Sequence, residues 1–309
     1  MATRTLDSPP SVLPLYARAA APLIPGASLL PFVPGRGADV PEIELALEGV
    51  RPDPERVAAY ARVCGFALRD SLPPTYLHVL AFPLHMAVMA DGRFPFGAVG
   101  LVHVENRIVQ QRPIGLGEEL AIEVRPTKLK PHPKGRAFGL RTKVKAGQRI
   151  AWESTSTMLR RERPTDGADG PIGQGDLDAS ARRPLGEGLA ASAEWRLGGD
   201  LGRRYAAVSG DRNPIHMHAL TAKPLGFARA IAHGMWTKAR CLAALESRLP
   251  DAFAVDVRFR KPILLPGRVE LACSSGPEEI DFAVRGAGRG TPHLEGHLGP
   301  LEDKPKAGR

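Results

Sequence analysis

The feature that most constrains the fold of this chain is an internal repeat. Residues 60–66 (YARVCGF) match residues 205–211 (YAAVSGD) at an offset of 145, and residues 113–117 (PIGLG) match residues 262–267 (PILLPG) at an offset of 149 to 150. Both matches keep their order and nearly their spacing. Since 309 residues are long enough for two ordinary domains, we predict an internal duplication.

A change of composition separates the two copies. The stretch 163–188 is rich in Gly, Asp and Pro and holds almost no large apolar residue, which is typical of a linker. We therefore predict a first domain at 1–165, a linker at 166–185 and a second domain at 186–309. Residues 1–41 are rich in Pro and Ala without periodicity, and we expect them to form an extended lead-in over the first domain.

Periodic patterns predict the elements of both copies. Alternation of apolar residues predicts strands in the first copy at 42–50, 99–109, 119–124 and 137–144. Helical spacing predicts a helix over 75–89, and Asp53 before Pro54 predicts the start of another. In the second copy, apolar residues from Phe227 to Leu249 recur at helical spacing and predict one long helix.

The two copies differ in their polar residues. Asp211 in the second copy stands opposite Phe66 in the first, and nothing in residues 69–72 reproduces the Asn-Pro-Ile-His that follows Asp211. A polar cluster in such a setting lowers stability unless it is satisfied or used. We therefore expect the chemistry to lie in the second copy.

Asp211 and His216 are a candidate acid–base pair. Asn213 precedes a proline and is excluded from the helical region, so the chain turns there and can bring both side chains together. A carboxylate and an imidazole that share a water can act as general acid and base, because histidine titrates near neutrality. The alternative is a capped turn without chemistry, since Asp and Asn are common turn residues.

His233 and Gly234 form the second candidate feature, at the start of the long helical segment. A glycine lets a substrate approach the backbone, and the free N–H groups of a first helical turn can hold an oxyanion. The alternative is a helix that simply packs through small residues.

The two motifs together, YxxxSGDxNPIH at 205–216 and GFxxxIAHGM at 226–235, resemble the signature of the MaoC-like (R)-specific enoyl-CoA hydratase and 3-hydroxyacyl-thioester dehydratase family. The resemblance covers about residues 200–272. It implies an α+β fold, a double hotdog, in which each half has a long central helix wrapped by an antiparallel β-sheet. The first half resembles the degenerate hotdog domain of two-domain members, which lacks catalytic residues.

The resemblance also implies roles for particular residues. Asp211 and His216 would activate the water added across a 2-enoyl thioester, or remove water from an (R)-3-hydroxyacyl thioester. The Gly234 N–H would stabilise the enolate oxygen of the thioester. The residues expected to bind substrate are Ser209, Asn213, His233, Met235, Arg260 and Lys261. A hotdog thioesterase and a non-catalytic protein that binds acyl thioesters or their carrier are the alternative functions.

The formal net charge of +9 fits a phosphate-bearing partner. Coenzyme A and an acyl carrier protein both qualify, because each presents its thioester on a phosphate-bearing arm. Nucleic acid is not expected, since no recognition motif accompanies the charge. The sequence contains no run of about 18 apolar residues, so we predict no transmembrane helix. We also expect a homodimer as the assembly.

Metals and cofactors are not expected. The His-x-His at 216–218 and the His-x-x-x-His at 293–297 have possible ligand spacings, but no cysteine or acid cluster completes them. Cys64, Cys241 and Cys273 are far apart, so they favour neither a disulfide framework nor a thiolate metal site. They are consistent with a reducing cytoplasm.

Overall fold

The computed structural model of the chain describes residues 2–21, 33–35, 37–162, 188–276 and 278–301. The predicted linker at 166–185 lies outside these residues. The helices are α1 (Val12–Ala20), α2 (Pro54–Cys64), α3 (Tyr76–Met89), α4 (Leu201–Ser209), α5 (Pro214–Met217), α6 (Ala219–Ala222) and α7 (Gly234–Ala244). The strands are β1 (Ala2–Leu6), β2 (Ile43–Val50), β3 (Val102–Gln110), β4 (Leu120–Pro126), β5 (Lys130–His132), β6 (Gly135–Ala146), β7 (Arg149–Arg161), β8 (Ala191–Leu197), β9 (Phe253–Phe259), β10 (Gly267–Cys273), β11 (Ile280–Gly286) and β12 (Pro292–Gly299).

One sheet runs through both halves of the described chain. Its order is β1-β2-β4-β6-β7-β3-β9-β12-β11-β10-β8, with β5 paired to β6. The antiparallel series β2-β4-β6-β7-β3 of the first half has the same connectivity as β8-β10-β11-β12-β9 of the second, and the two series meet where β3 pairs with β9. Each half places one helix, α3 or α7, against its sheet. The expected double hotdog fold is thereby confirmed.

The predicted repeat also holds at the level of the backbone. Helices α2 and α4 end at Gly65 and Gly210, which adopt left-handed conformations with φ of 86° and 77°. Such a positive φ favours glycine because it has no Cβ. Tyr60 and Tyr205, five residues before each glycine, are buried, and their ring centroids lie 6.1 Å apart across the two halves.

A buried lysine joins the halves at the seam between β3 and β9. The Lys238 amine donates to the carbonyl and side-chain oxygens of Asn106 on β3, at 3.0 and 2.6 Å, and to the carbonyl of Val255 on β9, at 3.1 Å. Its three protons therefore have three acceptors. Burial holds the pKa of Lys238 well below its usual value.

Helix α3 forms as predicted, but two other expectations were wrong. Residues 1–41 are not merely extended, because β1 pairs in parallel with β2 and α1 follows it. Pro14 lies in the first turn of α1, where a proline removes no intrahelical hydrogen bond. The long helix predicted from Phe227 begins only at Gly234, because Ile231 pairs with Leu264 in a β-bridge and its amide donates to Ile215.

None of the helices within the described ranges is both long and apolar enough to cross a lipid bilayer.

Candidate active site

The turn after α4 positions Asp211. Gly210 ends the helix, and the Asp211 amide donates to Ser209 Oγ at 3.2 Å. The Asn213 amide donates back to Asp211 Oδ1 at 3.1 Å, while Asn213 Oδ1 accepts from the amide of Ile215 and caps α5. Pro at the first position of α5 favours this start. The Asp-x-Asn-Pro sequence thus folds into a local turn that holds the carboxylate.

His216 lies on α5 and is buried, with 8% of its surface exposed. Its Nδ1 lies 2.8 Å from the carbonyl oxygen of Ile231. Because a carbonyl can only accept, Nδ1 carries the proton and Nε2 keeps a lone pair in the neutral ring. Burial lowers the pKa of His216, and the nearby Asp211 charge opposes this only in part. The geometry therefore presents a neutral imidazole with a free basic nitrogen.

His233 stacks on His216, with ring centroids 3.6 Å apart and planes 24° apart. Its Nε2 donates to the backbone carbonyl of Asp211 at 2.9 Å and lies 3.8 Å from Asp211 Oδ2. Burial, followed by the neighbouring His216, lowers the pKa of His233 to about 3. His233 is therefore a neutral donor that fixes the Asp211 turn, and this geometry does not make it the base.

Asp211 is ionised in this setting. Burial by itself raises the pKa of its carboxyl, but His233, His216 and the Tyr16 hydroxyl outweigh burial, and the pKa is lowered overall. The Tyr16 hydroxyl on α1 donates to Asp211 Oδ1 at 2.7 Å. The side chain is 28% exposed, so the carboxylate keeps access to solvent in the cavity described next.

Gly234 is the first residue of α7, with His233 as its N-cap. Amides of a first helical turn have no intrahelical acceptor and carry the positive end of the helix dipole. A Cβ at Gly234 would lie 3.0 Å from the ring of Phe259. A side chain larger than hydrogen would thus crowd the space beside this N–H group, and glycine keeps it open.

A cavity of about 310 Å³ connects these groups with the first half. All nine sequence-predicted site residues line it: Ser209, Asp211, Asn213, His216, His233, Gly234, Met235, Arg260 and Lys261. Arg260 and Lys261 are exposed, and Arg260 Nη2 pairs with Glu295 Oε2 at 2.6 Å. They lie at the solvent side, where a phosphate-bearing carrier has access to them.

Several residues of the site escaped the sequence analysis. Tyr16 is 195 residues from Asp211, and nothing in its local sequence marks it. His78, His85 and His103 of the first half also line the cavity. The spacing of seven residues between His78 and His85 puts them on one helical face, so their proximity could have been predicted from the sequence.

Asp211, His216 and His233 are the group of described residues whose ligand atoms lie within 4.8 Å of one another, as a metal site requires. Two of those ring nitrogens, His216 Nδ1 and His233 Nε2, already donate to backbone carbonyls. The donors left for an ion are His216 Nε2, the Asp211 carboxylate and His233 Nδ1, which is buried and has no hydrogen-bond partner among the described residues. A neutral imidazole beside a carboxylate is also the arrangement that general acid–base catalysis uses.

Known proteins resemble this chain in sequence and in structure. Residues 182–281 match the family model described as MaoC like domain. The 3-hydroxyacyl-thioester dehydratase X of Mycobacterium tuberculosis is 38% identical over 269 residues, which cover 87% of this chain and 92% of the relative. The crystal structure of HtdX from Mycobacterium tuberculosis is similar with a TM-score of 0.72 and 36% identity, over 84% of this chain and 100% of that one.

A more distant structural relative supports the fold alone. It is a Mycobacterium tuberculosis protein described as having a double hotdog fold, with a TM-score of 0.52 and 15% identity. The similarity covers 85% of this chain and 95% of that chain.

Proposed function

Because this chain belongs to the MaoC-like dehydratase family and is a hydro-lyase, we propose that it interconverts (R)-3-hydroxyacyl and 2-enoyl thioesters with Asp211 and His216 as the acid–base pair. The (R) configuration is carried over from the family resemblance. The acyl group is attached to coenzyme A or to an acyl carrier protein.

One observation carries the proposal. The free Nε2 of a neutral His216, the carboxylate of Asp211 and the N–H of Gly234 all face one cavity. A general base must be uncharged to accept a proton, and the backbone contact of His216 fixes the tautomer that leaves Nε2 free. An oxyanion donor is needed because negative charge develops on the thioester oxygen.

In the hydration direction, Asp211 and His216 hold a water. His216 Nε2 accepts a proton from the water as its oxygen bonds to C3, and the electrons of the double bond move to the thioester oxygen. The Gly234 N–H stabilises that enolate. A proton then returns from the pair to C2, so that H and OH have been added and no charge is left over. Dehydration follows the same steps in reverse.

The exposed cations beside the cavity support a phosphate-bearing carrier. Arg260 and Lys261 lie at its solvent side, and Arg258 lines it from β9. Arg258 pairs with Glu105 at 3.5 Å and Arg260 with Glu295, so Lys261 is the residue we propose for phosphate contact. Both carriers offer that phosphate, so the choice between them is left to experiment.

The test follows the loss of the conjugated enoyl-thioester absorbance with crotonyl-, octenoyl- and hexadecenoyl-CoA. Asp211→Asn and His216→Ala should each lower kcat by about 10² to 10⁴-fold, the usual contribution of a positioned acid or base. His297→Ala, outside the cavity, should keep the wild-type rate. The proposal fails if wild type is inactive on every chain length both as coenzyme A and as acyl carrier protein thioesters, or if both variants keep full activity. Release of free thiol without water addition would instead indicate a thioesterase.

A further inference from the structure

Three histidines line the first-half wall of the cavity. His78 and His85 share one face of α3, and His103 projects from β3. The ring centroid of His78 lies 5.0 Å from that of His85 and 6.0 Å from that of His103. His78 is 8% exposed and His85 is 2% exposed. Within the described residues, His78 Nδ1 and His103 Nε2 are buried and have no hydrogen-bond partner.

These rings are polar but uncharged near neutral pH. Burial, with the charge of Lys238 among the weaker causes, lowers the pKa of His78 to about 4 and that of His103 to about 3. His85 Nε2 is within 2.7 Å of Thr142 Oγ1 and is therefore satisfied. A buried polar nitrogen without a partner lowers stability, and a plain alkyl chain against His78 and His103 offers neither nitrogen a hydrogen bond.

We propose that this histidine wall (His78, His85 and His103) is a subsite for a hydroxyl group on the acyl chain. The inference rests on the proposed function and narrows its substrates to thioesters with an oxygen beyond the reacting carbons. The wall lies close to the reaction centre, because the His103 ring is 5.1 Å from the ring of Phe259. That ring is also the nearest neighbour of the Gly234 Cβ position, which places the oxygen within a few carbons of the double bond.

The test compares 2-octenoyl-CoA with analogues that carry a hydroxyl group at successive positions along the chain. In wild type, one analogue should exceed the plain chain in kcat/KM by about tenfold, the equivalent of 1.4 kcal/mol. His78→Phe and His103→Phe should each abolish that preference, measured as the ratio of kcat/KM for the favoured analogue to kcat/KM for the plain chain, and His78→Gln should restore part of it. His297→Phe is the matched control and should keep it.

Two results would overturn the subsite. One is a wild type whose kcat/KM for the plain chain equals that for every hydroxyl analogue. The other is a preference that survives in both phenylalanine variants. If wild type hydrates none of the compounds, either as coenzyme A or as acyl carrier protein thioesters, the proposed function itself fails, and the two failures are thereby distinguished.

A separate observation concerns Tyr16, in the segment of residues 2–21. Its hydroxyl and the amide of Asn213 both donate to Asp211 Oδ1, at 2.7 and 3.1 Å. Oδ1 thus has two protein donors, which leaves Oδ2 to meet the water. Burial and then the Asp211 charge raise the pKa of Tyr16, so the phenol keeps its proton and remains a donor.

We infer that Tyr16 is a positioning residue for Asp211. It orients Oδ2 toward the reacting water and, as an O–H donor, keeps the carboxyl ionised. The segment that carries it pairs through β1 with β2 of the first half and reaches the catalytic turn of the second. The titratable groups that interact electrostatically with Asp211 come from six elements: Tyr16 from α1, His78 from α3, His103 from β3, Tyr205 from α4, His216 from α5 and His233 before α7.

Tyr16→Phe should lower kcat by about 10- to 100-fold, since a hydrogen bond to a charged group contributes about 1.5–3 kcal/mol. KM should change little, because Tyr16 contacts the carboxylate and not the substrate. The acid limb of the kcat profile should move to higher pH. Tyr60→Phe, which removes a buried hydroxyl bonded to Thr75, should leave the profile unchanged. An unshifted acid limb in Tyr16→Phe, or an equal shift in Tyr60→Phe, would refute the role.

Discussion

The two halves of this protein share a backbone and differ in what it carries. Gly65 and Gly210 end equivalent helices in the same left-handed conformation. The next residue is Phe66 in the first half, 7% exposed and part of the core, and Asp211 in the second, part of the candidate site. One position therefore serves packing in one copy and chemistry in the other, with no change in the helix that precedes it.

A second difference lies at the start of the central helices. The amide of Leu72 donates to Ile114 in the first half, and that of Ala232 donates to Ile263 in the second. These equivalent bonds align Pro73–Pro74 with His233–Gly234. Proline has no N–H, so the first half has no backbone donor where the second offers the proposed oxyanion donor.

A third difference is an insertion. The chain takes six residues from Phe66 to Leu72 and 21 residues from Asp211 to Ala232. The additional residues form α5 and α6 and bring His216 to the cavity. The proposed chemistry therefore depends on a short insertion and two substitutions, while the sheet is common to both halves.

Acid should destabilise both halves, and this is the largest effect we expect. Among the described residues, burial lowers the pKa of seven histidines, four in the first half and three in the second: His78, His85, His103, His132, His216, His233 and His293. Below pH 6.5, these histidines bind protons in the unfolded chain but remain unprotonated in the native state. Stability is therefore complete above that pH and is lost as pH falls toward the native pKa values, by up to about 1.4 kcal/mol per pH unit for each histidine.

Urea unfolding at a series of pH values from about 7.5 to 5.5 measures this effect. His78→Phe should lower the slope of unfolding free energy against pH by up to one proton, and His297→Phe should leave it unchanged. A wild-type free energy that stays flat over this range would show that the buried rings are not neutral. If only histidine variants of the second half reduce the slope of unfolding free energy against pH, the destabilisation by acid is confined to that half.

Copying the first half into the second should remove activity. Gly234→Pro deletes the N–H donor, while proline at the first helical position is well tolerated. His233 already has the extended conformation that precedes proline, with φ of −67° and ψ of 138°. We expect a loss of about 10² to 10³ in kcat, the cost of removing one oxyanion donor, with little change in melting temperature.

Gly234→Ala is the matched control. It brings the same Cβ close to Phe259 but keeps the N–H. The difference in kcat between the two variants therefore measures the contribution of the N–H donor. Equal rates for Gly234→Pro and Gly234→Ala would mean that crowding, rather than the missing proton, decides the rate.

The elements that sequence patterns predicted well are those set by local chemistry. Asp53 caps α2 with its carboxylate on the amides of Glu55 and Arg56, and Asn213–Pro214 forms the expected turn and helix start. The family resemblance placed all nine candidate residues on one cavity. Each of these features depends on neighbours within a few residues or on a motif of fixed spacing.

What could not be predicted depends on contacts between distant segments. Phe227 and Ile231 have helical spacing, but Ile231 lies in a bridge to Leu264, which no local pattern shows. The contact between Tyr16 and Asp211 joins two residues that are 195 positions apart in the chain. Whether His78 packs in a core or lines a cavity depends on the space between the halves, and that space exists only in the folded molecule.

The smallest effect we expect comes from the reverse exchange, Pro74→Gly. It gives the first half an amide at the position equivalent to Gly234, and the Pro74 carbonyl that accepts from Trp152 Nε1 at 2.9 Å is kept. Stability should fall by about 0.4–1 kcal/mol, because glycine gives the unfolded chain more freedom, measured as a lower urea midpoint. The rate should not change, since Phe66 still stands where a carboxylate is required and no insertion supplies a histidine. If kcat rises, or a tight-binding enolate analogue then titrates two sites per chain, the oxyanion donor alone separates the two halves and the roles of Asp211 and His216 must be revised.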